Sequence, residues 1–436
     1  MEDTPRSQTI STKLQRIAEQ ARNYPETTFT TLAHLIDVEW LREAYQRTNK
    51  ASAAGLDGVT ARGYAQHLEE NLQDLYGRLR SGSYRATPVV RVWIDKDEGK
   101  QRPIGKPVLE DKIVQRAVAM QLEAIYEQDF YDFSYGFRPG RNPHQALQEL
   151  KEQCWKKNVN WIVDADVSGF FDSLDHKHLI DILRMRVSDG GIIRLIGKWL
   201  NAGVMEGDIL TYAEKGTPQG GVISPILANV YLHHVLDEWF VREVLPRLKG
   251  RACLIRYADD FVIGCELEAD AQRIMEVLPK RCHRFGLTIH PTKTKLVRFG
   301  KPSRETRADP RNGTFDFLGF THYWALSRQG NWIIKWKTAK KRLRRTLKTF
   351  WQWCRDNRQR PIQEQYNLLR AKLQGYYQYY GIRHNYRALA VVRDYVGRAW
   401  RYWLSRRTRS GRISERVKHL LEEVFELPKP RIIHAI

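Results

Sequence analysis

Residues 87–95, TPVVRVWID, alternate in polarity and are rich in β-branched side chains, which predicts a β-strand. Residues 1–35 are polar and read as a helix with a loose leader. From Val38 to Arg80 apolar residues recur at helical spacing, broken by the Gly/Asp loop AGLDGVT. Lys96 to Lys106 reads as a basic loop, and residues 108–127 as a helix. NWIVDADV (160–167) reads as a buried strand, and residues 175–202 as mostly helical. The Gly/Pro stretch GTPQGG leads into a long apolar helix, ISPILANVYLHHVLDEWF. CLIRYADDFVIGC (253–265) predicts two short apolar strands joined by a pair of acids. Residues 336–354 place Trp336, Leu343, Leu347, Phe350 and Cys354 on one helical face, with the basic residues Lys341, Arg344, Arg345 and Lys348 largely elsewhere. There is no internal repeat or low-complexity segment.

Charge divides this chain of 436 residues unevenly. It carries 72 Lys+Arg against 50 Asp+Glu, a net +22. Residues 331–436 alone hold 26 Lys+Arg against 7 Asp+Glu, together with six Trp and eight Tyr. The positive field therefore belongs to the C-terminal quarter, where a basic, aromatic helical domain is expected to meet a polyanion, nucleic acid above all. The five cysteines form no CxxC pair, which argues against a zinc site or a disulfide framework and for a reducing compartment. The polar N-terminus and the lack of a long apolar run give the expectation of a cytoplasmic protein with no membrane span.

Two adjacent acids between apolar strands repel each other unless a cation neutralises them. A second acidic strand end lies upstream in VDADV, where Asp164 and Asp166 share one face of the strand, and either of them could point at the Asp259-Asp260 hairpin. Three carboxylates with no His/Cys cluster beside them suit Mg²⁺, and two such ions about 3.5–4 Å apart can drive a phosphoryl transfer.

These residues resemble a known family. Tyr257-Ala258-Asp259-Asp260 is similar to the YxDD signature of reverse transcriptases, and DVSGFF (166–171) resembles their other metal-binding motif. GLDGV (55–59), GFRPGR (136–141), GTPQGGVISPILAN (216–229) and FLGF (317–320) resemble, in that order, the enzymes of bacterial group II introns. LLRAKLQGYYQYYGI (368–382), followed by WRYWLSRR, is similar to the family's maturase-specific thumb. The resemblance runs from about residue 35 to 410.

The resemblance implies an α+β right-hand polymerase: an N-terminal extension and fingers in 1–150, a palm with an antiparallel sheet in 151–325, and a helical basic thumb/maturase domain in 326–436. It selects Asp166 over Asp164, so that Asp166, Asp259 and Asp260, helped by the Val167 carbonyl, would bind two Mg²⁺. It places Lys96, Arg102, Phe171, Gln219 and Lys293 at the incoming dNTP, with Phe171 as the gate against a ribose 2′-OH. Arg138, Pro139, Gly140, Arg141, Pro218 and Gly220 are expected at the template, and Arg344, Arg345 and Lys348 on RNA. The implied partners are group II intron RNA, an RNA template with a DNA primer, and dNTPs, in a bacterial cytoplasm; monomer and dimer remain equally open. Lys106 and His290 stand where the family commonly has Ile and Asn. The paired cysteines of an HNH endonuclease are missing, so second-strand cutting is not expected. The competing readings are a splicing-only RNA-binding maturase and a reverse transcriptase recruited to CRISPR or phage defence.

Overall fold

A computed structural model describes residues 4–95, 101–207, 209–212, 215–216, 220–302, 312–407 and 411–435. The chain forms two compact units, one of Met1–Asn142, Ala165–Ile263 and Ala269–Lys295, the other of Pro143–Asp164, Gly264–Glu268 and Leu296–Ile436. It is a mixture of helices and mostly antiparallel sheets.

In the first unit the helix Leu109–Tyr126 is buried on nearly every face, and the helices Thr4–Asn23 and Val38–Arg47 pack on it. That burial explains why its sequence is apolar almost all round rather than along one stripe. A four-stranded sheet runs in the order Gln101–Lys106, Val89–Asp95, Val204–Glu206, Ile209–Thr211. Residues 101–106 are therefore a strand and not part of a basic loop. They pair antiparallel with the preceding strand, Val90 opposite Lys106 and Asp95 opposite Gln101. Cross-strand pairing overrides a segment whose Pro103, Gly105 and two cations give it little strand propensity of its own. The apolar helix Ser224–Leu232 is buried at every residue but Pro225 and continues in wider π-type turns to Val244.

The helical stretch 175–202 breaks into His176–Arg186 and Gly190–Leu200. Asp189 makes the break. One carboxylate oxygen caps the second helix by accepting from Gly191 N at 2.7 Å and Ile192 N at 3.0 Å; the other accepts from Leu32 N at 2.5 Å and Ala33 N at 3.0 Å. Burial pushes this carboxyl up, and the four N–H groups outweigh it and hold it below the usual carboxylate range. Asp189→Ala is expected to destabilise the protein by about 2 kcal/mol or more, through the lost cap and the stranded donors. A folded value below the unfolded one stabilises above about pH 4 and is lost as pH falls through the folded value. Thermal melts at pH 7 and pH 3 check both points: the gap between parent and variant should narrow at the lower pH.

The second unit joins a three-stranded antiparallel sheet, in the order Trp332–Thr338, Phe320–Leu326, Phe315–Phe317, to the helices Lys340–Asp356, Ile362–Tyr380 and Tyr386–Ser405. The helices enclose a core of Phe350, Cys354, Leu369, Leu373, Leu389, Val392, Val396 and Trp400. Trp336 does not belong to the helical face expected of it. It is fully buried in the last strand, and the helix begins at Lys340. The apolar alternation Trp332, Ile334, Trp336 fits a strand, and pairing with Phe320–Leu326, His322 opposite Trp336, makes it one. Among the described residues no helix is long and apolar enough to cross a membrane. All five cysteines are buried, and no two of them form a disulfide.

Candidate active site

The acid pair lies on a hairpin of the first unit. The strand Ala252–Tyr257 is buried up to Tyr257, and the second strand begins at Asp260, so the turn is Ala258 and Asp259. Asp259 is half-buried and Asp260 exposed. Ala258 sits at φ 55°, in the left-handed region. For a residue with a Cβ that conformation costs roughly 1–2 kcal/mol, so its surroundings must hold it.

Those surroundings are unusually polar for a core. Arg256, Asp237 and Asn229 are each fully buried. Arg256 donates from Nε to Asp237 Oδ1 at 2.8 Å and from Nη2 to Oδ2 at 2.5 Å. Its remaining nitrogen, Nη1, donates to Asn229 Oδ1 at 3.0 Å and to the Ala258 carbonyl at 3.2 Å. Asn229 Nδ2 then donates to the Gly136 carbonyl at 2.7 Å. Burial alone would raise the Asp237 carboxyl, but the Arg256 charge and hydrogen bonds, together with the neighbouring His233 ring, outweigh it and keep it below the usual range. Gly136 lies against the turn itself: a Cβ there would meet Ala258 N at 2.2 Å and Tyr257 C at 2.8 Å. The motifs GFRPGR, SPILAN and RYADD are thus knitted together behind the acids.

Asp166 is anchored in the same unit. His290 N donates to its carbonyl at 2.7 Å, Ser168 N donates to Thr288 O at 2.8 Å, and Val167 stands opposite Ile289 in an antiparallel bridge. Its side chain forms an ion pair with Lys293 Nζ at 2.7 Å, both groups partly exposed. Among the described residues no three His, Cys, Asp or Glu side chains form a metal-binding group. The donors still fit a hard divalent ion, being carboxylate and carbonyl oxygens with an ammonium already drawn to one of them.

Other expected residues fall in several places. Phe170 is buried, while Phe171 beside it stays half-exposed, edge-on at 5.2 Å between ring centres. Gly220, at φ 113°, packs on the Gly105 carbonyl, which would lie 2.4 Å from a Cβ, so only glycine fits there. Pro139 and Gly140 are exposed, and Arg141 reaches the Asp132 carbonyl and carboxylate, each at 2.7 Å. Arg138, expected at the template, points into the protein. It is buried, bound to the Glu127 carboxylate at 3.0–3.1 Å and to the carbonyls of Tyr131 and Ser134 at 2.7 and 2.8 Å, so its donors are already satisfied inside the protein. Lys96, Pro218 and Gln219 lie outside the described residues, as does the Arg102 side chain, whose backbone is in a strand. In the second unit Arg344, Arg345 and Lys348 are exposed on the helix Lys340–Asp356.

The sequence reading missed Asn229 and Asp237. Their signal was there: two polar residues eight apart, on one face of an otherwise apolar helix, ask for a buried partner.

Comparison with known proteins gives the family. Residues 94–322 match the family described as reverse transcriptase (RNA-dependent DNA polymerase). Protein YkfC of Escherichia coli K12 is 36% identical over 299 residues, covering 61% of this chain and 78% of YkfC. The group II intron-encoded protein LtrA of Lactococcus lactis subsp. cremoris is 38% identical over 234 residues, 52% of this chain but only 38% of LtrA. A nuclear intron maturase 1 of Arabidopsis thaliana is 32% identical over a shorter stretch of 102 residues, 23% of this chain and 14% of the maturase. The chain belongs to the reverse transcriptases, the family of RNA-dependent DNA polymerases, alongside group II intron-encoded proteins.

Proposed function

We propose that the protein copies RNA into DNA with a right-hand polymerase architecture and, as a maturase, binds group II intron RNA to aid splicing and mobility. Residues 1–150 would serve as N-terminal extension and fingers, 151–325 as palm, and 326–436 as the basic thumb. One observation carries the polymerase reading. The paired acids at the left-handed turn share a compact unit with Asp166, whose carboxylate already attracts a cation in the form of Lys293.

Asp166, Asp259, Asp260 and the Val167 carbonyl would hold two Mg²⁺. Bound there, the ions supply Lewis-acid activation of a primer 3′-OH and neutralise charge on the departing pyrophosphate. Lys96, Arg102 and Gln219 grip the triphosphate, and fixed cations there act on a phosphoryl group as electrostatic clamps. Phe171 excludes a ribose 2′-OH. Lys293 balances Asp166 in the free enzyme, turns to the triphosphate when substrate arrives, and gives a proton to the leaving group. Arg344, Arg345 and Lys348 contact RNA phosphates.

Primer extension on an RNA template with dNTPs tests the reading. DNA product is expected; its absence alongside intact intron binding would favour a splicing-only maturase. Lys293→Met sharpens the test. An ion pair this exposed contributes at most about 1 kcal/mol, so the melting temperature should hardly move. Extension should fall by about 10- to 100-fold from the loss of one electrostatic contact at the reacting phosphate. An unchanged rate would remove Lys293 from the site.

A further inference from the structure

We propose that Arg256 is a positioning residue that fixes the acid turn, and that the Arg256–Asp237–Asn229–Gly136 network is built for this purpose and not for stability. The proposal rests on the reading that Asp259 and Asp260 hold the ions.

The geometry supports it in three ways. First, the guanidinium is divided between two tasks. Nε and Nη2 form a bidentate pair with Asp237, which neutralises the charge, while Nη1 reaches both Asn229 and the Ala258 carbonyl. Only a planar fork with donors on separate nitrogens can do both; a lysine ammonium is a point charge. Second, the residue it holds is the strained one. Ala258 is left-handed without being glycine, and its carbonyl is the acceptor that Arg256 reaches. Third, the brace is two-sided. Phe133 and Tyr135 exchange backbone hydrogen bonds with Arg256, each 2.9 Å, and Gly136 presses on the turn from the same side. Asn229 ties Gly136 back to the guanidinium at 2.7 Å and 3.0 Å. Each motif thus limits the movement of one backbone carbonyl, and the acids follow directly after it. A fully buried ion pair by itself adds little stability, and apolar pairs of similar size often do as well. Stability alone gives no reason for an arginine in this strand.

The test separates the two roles. Arg256→Met with Asp237→Leu replaces the pair by apolar side chains and removes the contact to Ala258. Three quantities are measured: the thermal midpoint, primer extension across a Mg²⁺ titration, and Tb³⁺ binding by luminescence. The expected result is a folded protein with a midpoint close to the parent's. Extension should fall by about 100-fold, the loss typical of a misplaced reacting group. The Mg²⁺ midpoint should rise, and Tb³⁺ binding should weaken. A folded double variant with parental extension and Tb³⁺ binding would overturn the proposal. Arg256→Lys provides the second arm should the double variant not fold. It keeps the charge beside Asp237 and loses the fork, so extension should still fall and the Mg²⁺ midpoint still rise. Parental behaviour in Arg256→Lys would equally overturn it. Asp259→Asn distinguishes the levels. If that variant extends normally, the assignment of the acids fails. If it is inactive while the Arg256 variants are normal, only the positioning role fails.

Discussion

Asp259→Asn is expected to cut DNA synthesis to a trace and leave RNA binding close to the parental value; this is the largest effect expected of any single substitution in the chain. The change keeps the side chain's shape and removes its charge, so the turn at Ala258 should stay folded. What is lost is the anionic oxygen that the proposed site would offer a hard cation. Lewis-acid stabilisation of a phosphoryl transfer amounts to several kcal/mol, and each 1.36 kcal/mol is tenfold in rate, so extension should drop by about 10³-fold or more. Single-nucleotide extension under rapid mixing measures it, with filter binding of intron RNA as the parallel assay. Asp259 lies in the first unit, while the exposed cations of the Lys340–Asp356 helix lie in the second. The two assays should therefore separate cleanly. Extension within tenfold of the parent would remove Asp259 from the ligand set.

Neutralising Arg344, Arg345 and Lys348 together should do the reverse, weakening RNA binding and leaving the chemistry of a bound primer end unchanged. All three are exposed, on a helix whose opposite side carries the buried Phe350 and Cys354. Replacing them with glutamine should cost little folding energy. Each phosphate contact contributes about 0.7 to the slope of log affinity against log salt for single strands. Three lost contacts should flatten that slope by about 2 and lower affinity on the order of 10²-fold at 0.1 M salt. Titrations at several salt concentrations decide it. A weaker affinity with an unchanged slope would mean that the substitutions disturb the fold and that these charges do not touch phosphate.

The sequence was most readable where one period dominated. The strands around Asp259 and Asp260, the helix Leu109–Tyr126 and the basic helix after Lys340 all follow from spacing. It was least readable where partners come from distant segments. Residues 101–106 look like a polar loop until the strand beside them supplies hydrogen bonds. Trp336 fits both a helical face and a strand alternation, and only the neighbouring strand decides. Arg138 sits in a motif whose exposed Pro139 and Gly140 suggest contact with a template, yet its own side chain turns inward to Glu127. The acids themselves were legible from residue type, but the ring of Gly136, Asn229, Asp237 and Arg256 behind them was not. Its members lie up to 120 residues apart in the chain, and each alone has an ordinary explanation. The left-handed Ala258 was beyond reach too, since alanine gives no hint of that backbone conformation.

The interior placement of all five thiols has a practical use. Burial pushes the Cys282 and Cys354 thiols up to about 12, so almost none of either is in the reactive thiolate form at neutral pH. A maleimide fluorophore should then couple to a cysteine introduced at exposed Thr349 and spare the native five. RNA docking could be followed by such a dye on the otherwise unaltered enzyme, without first replacing the native thiols.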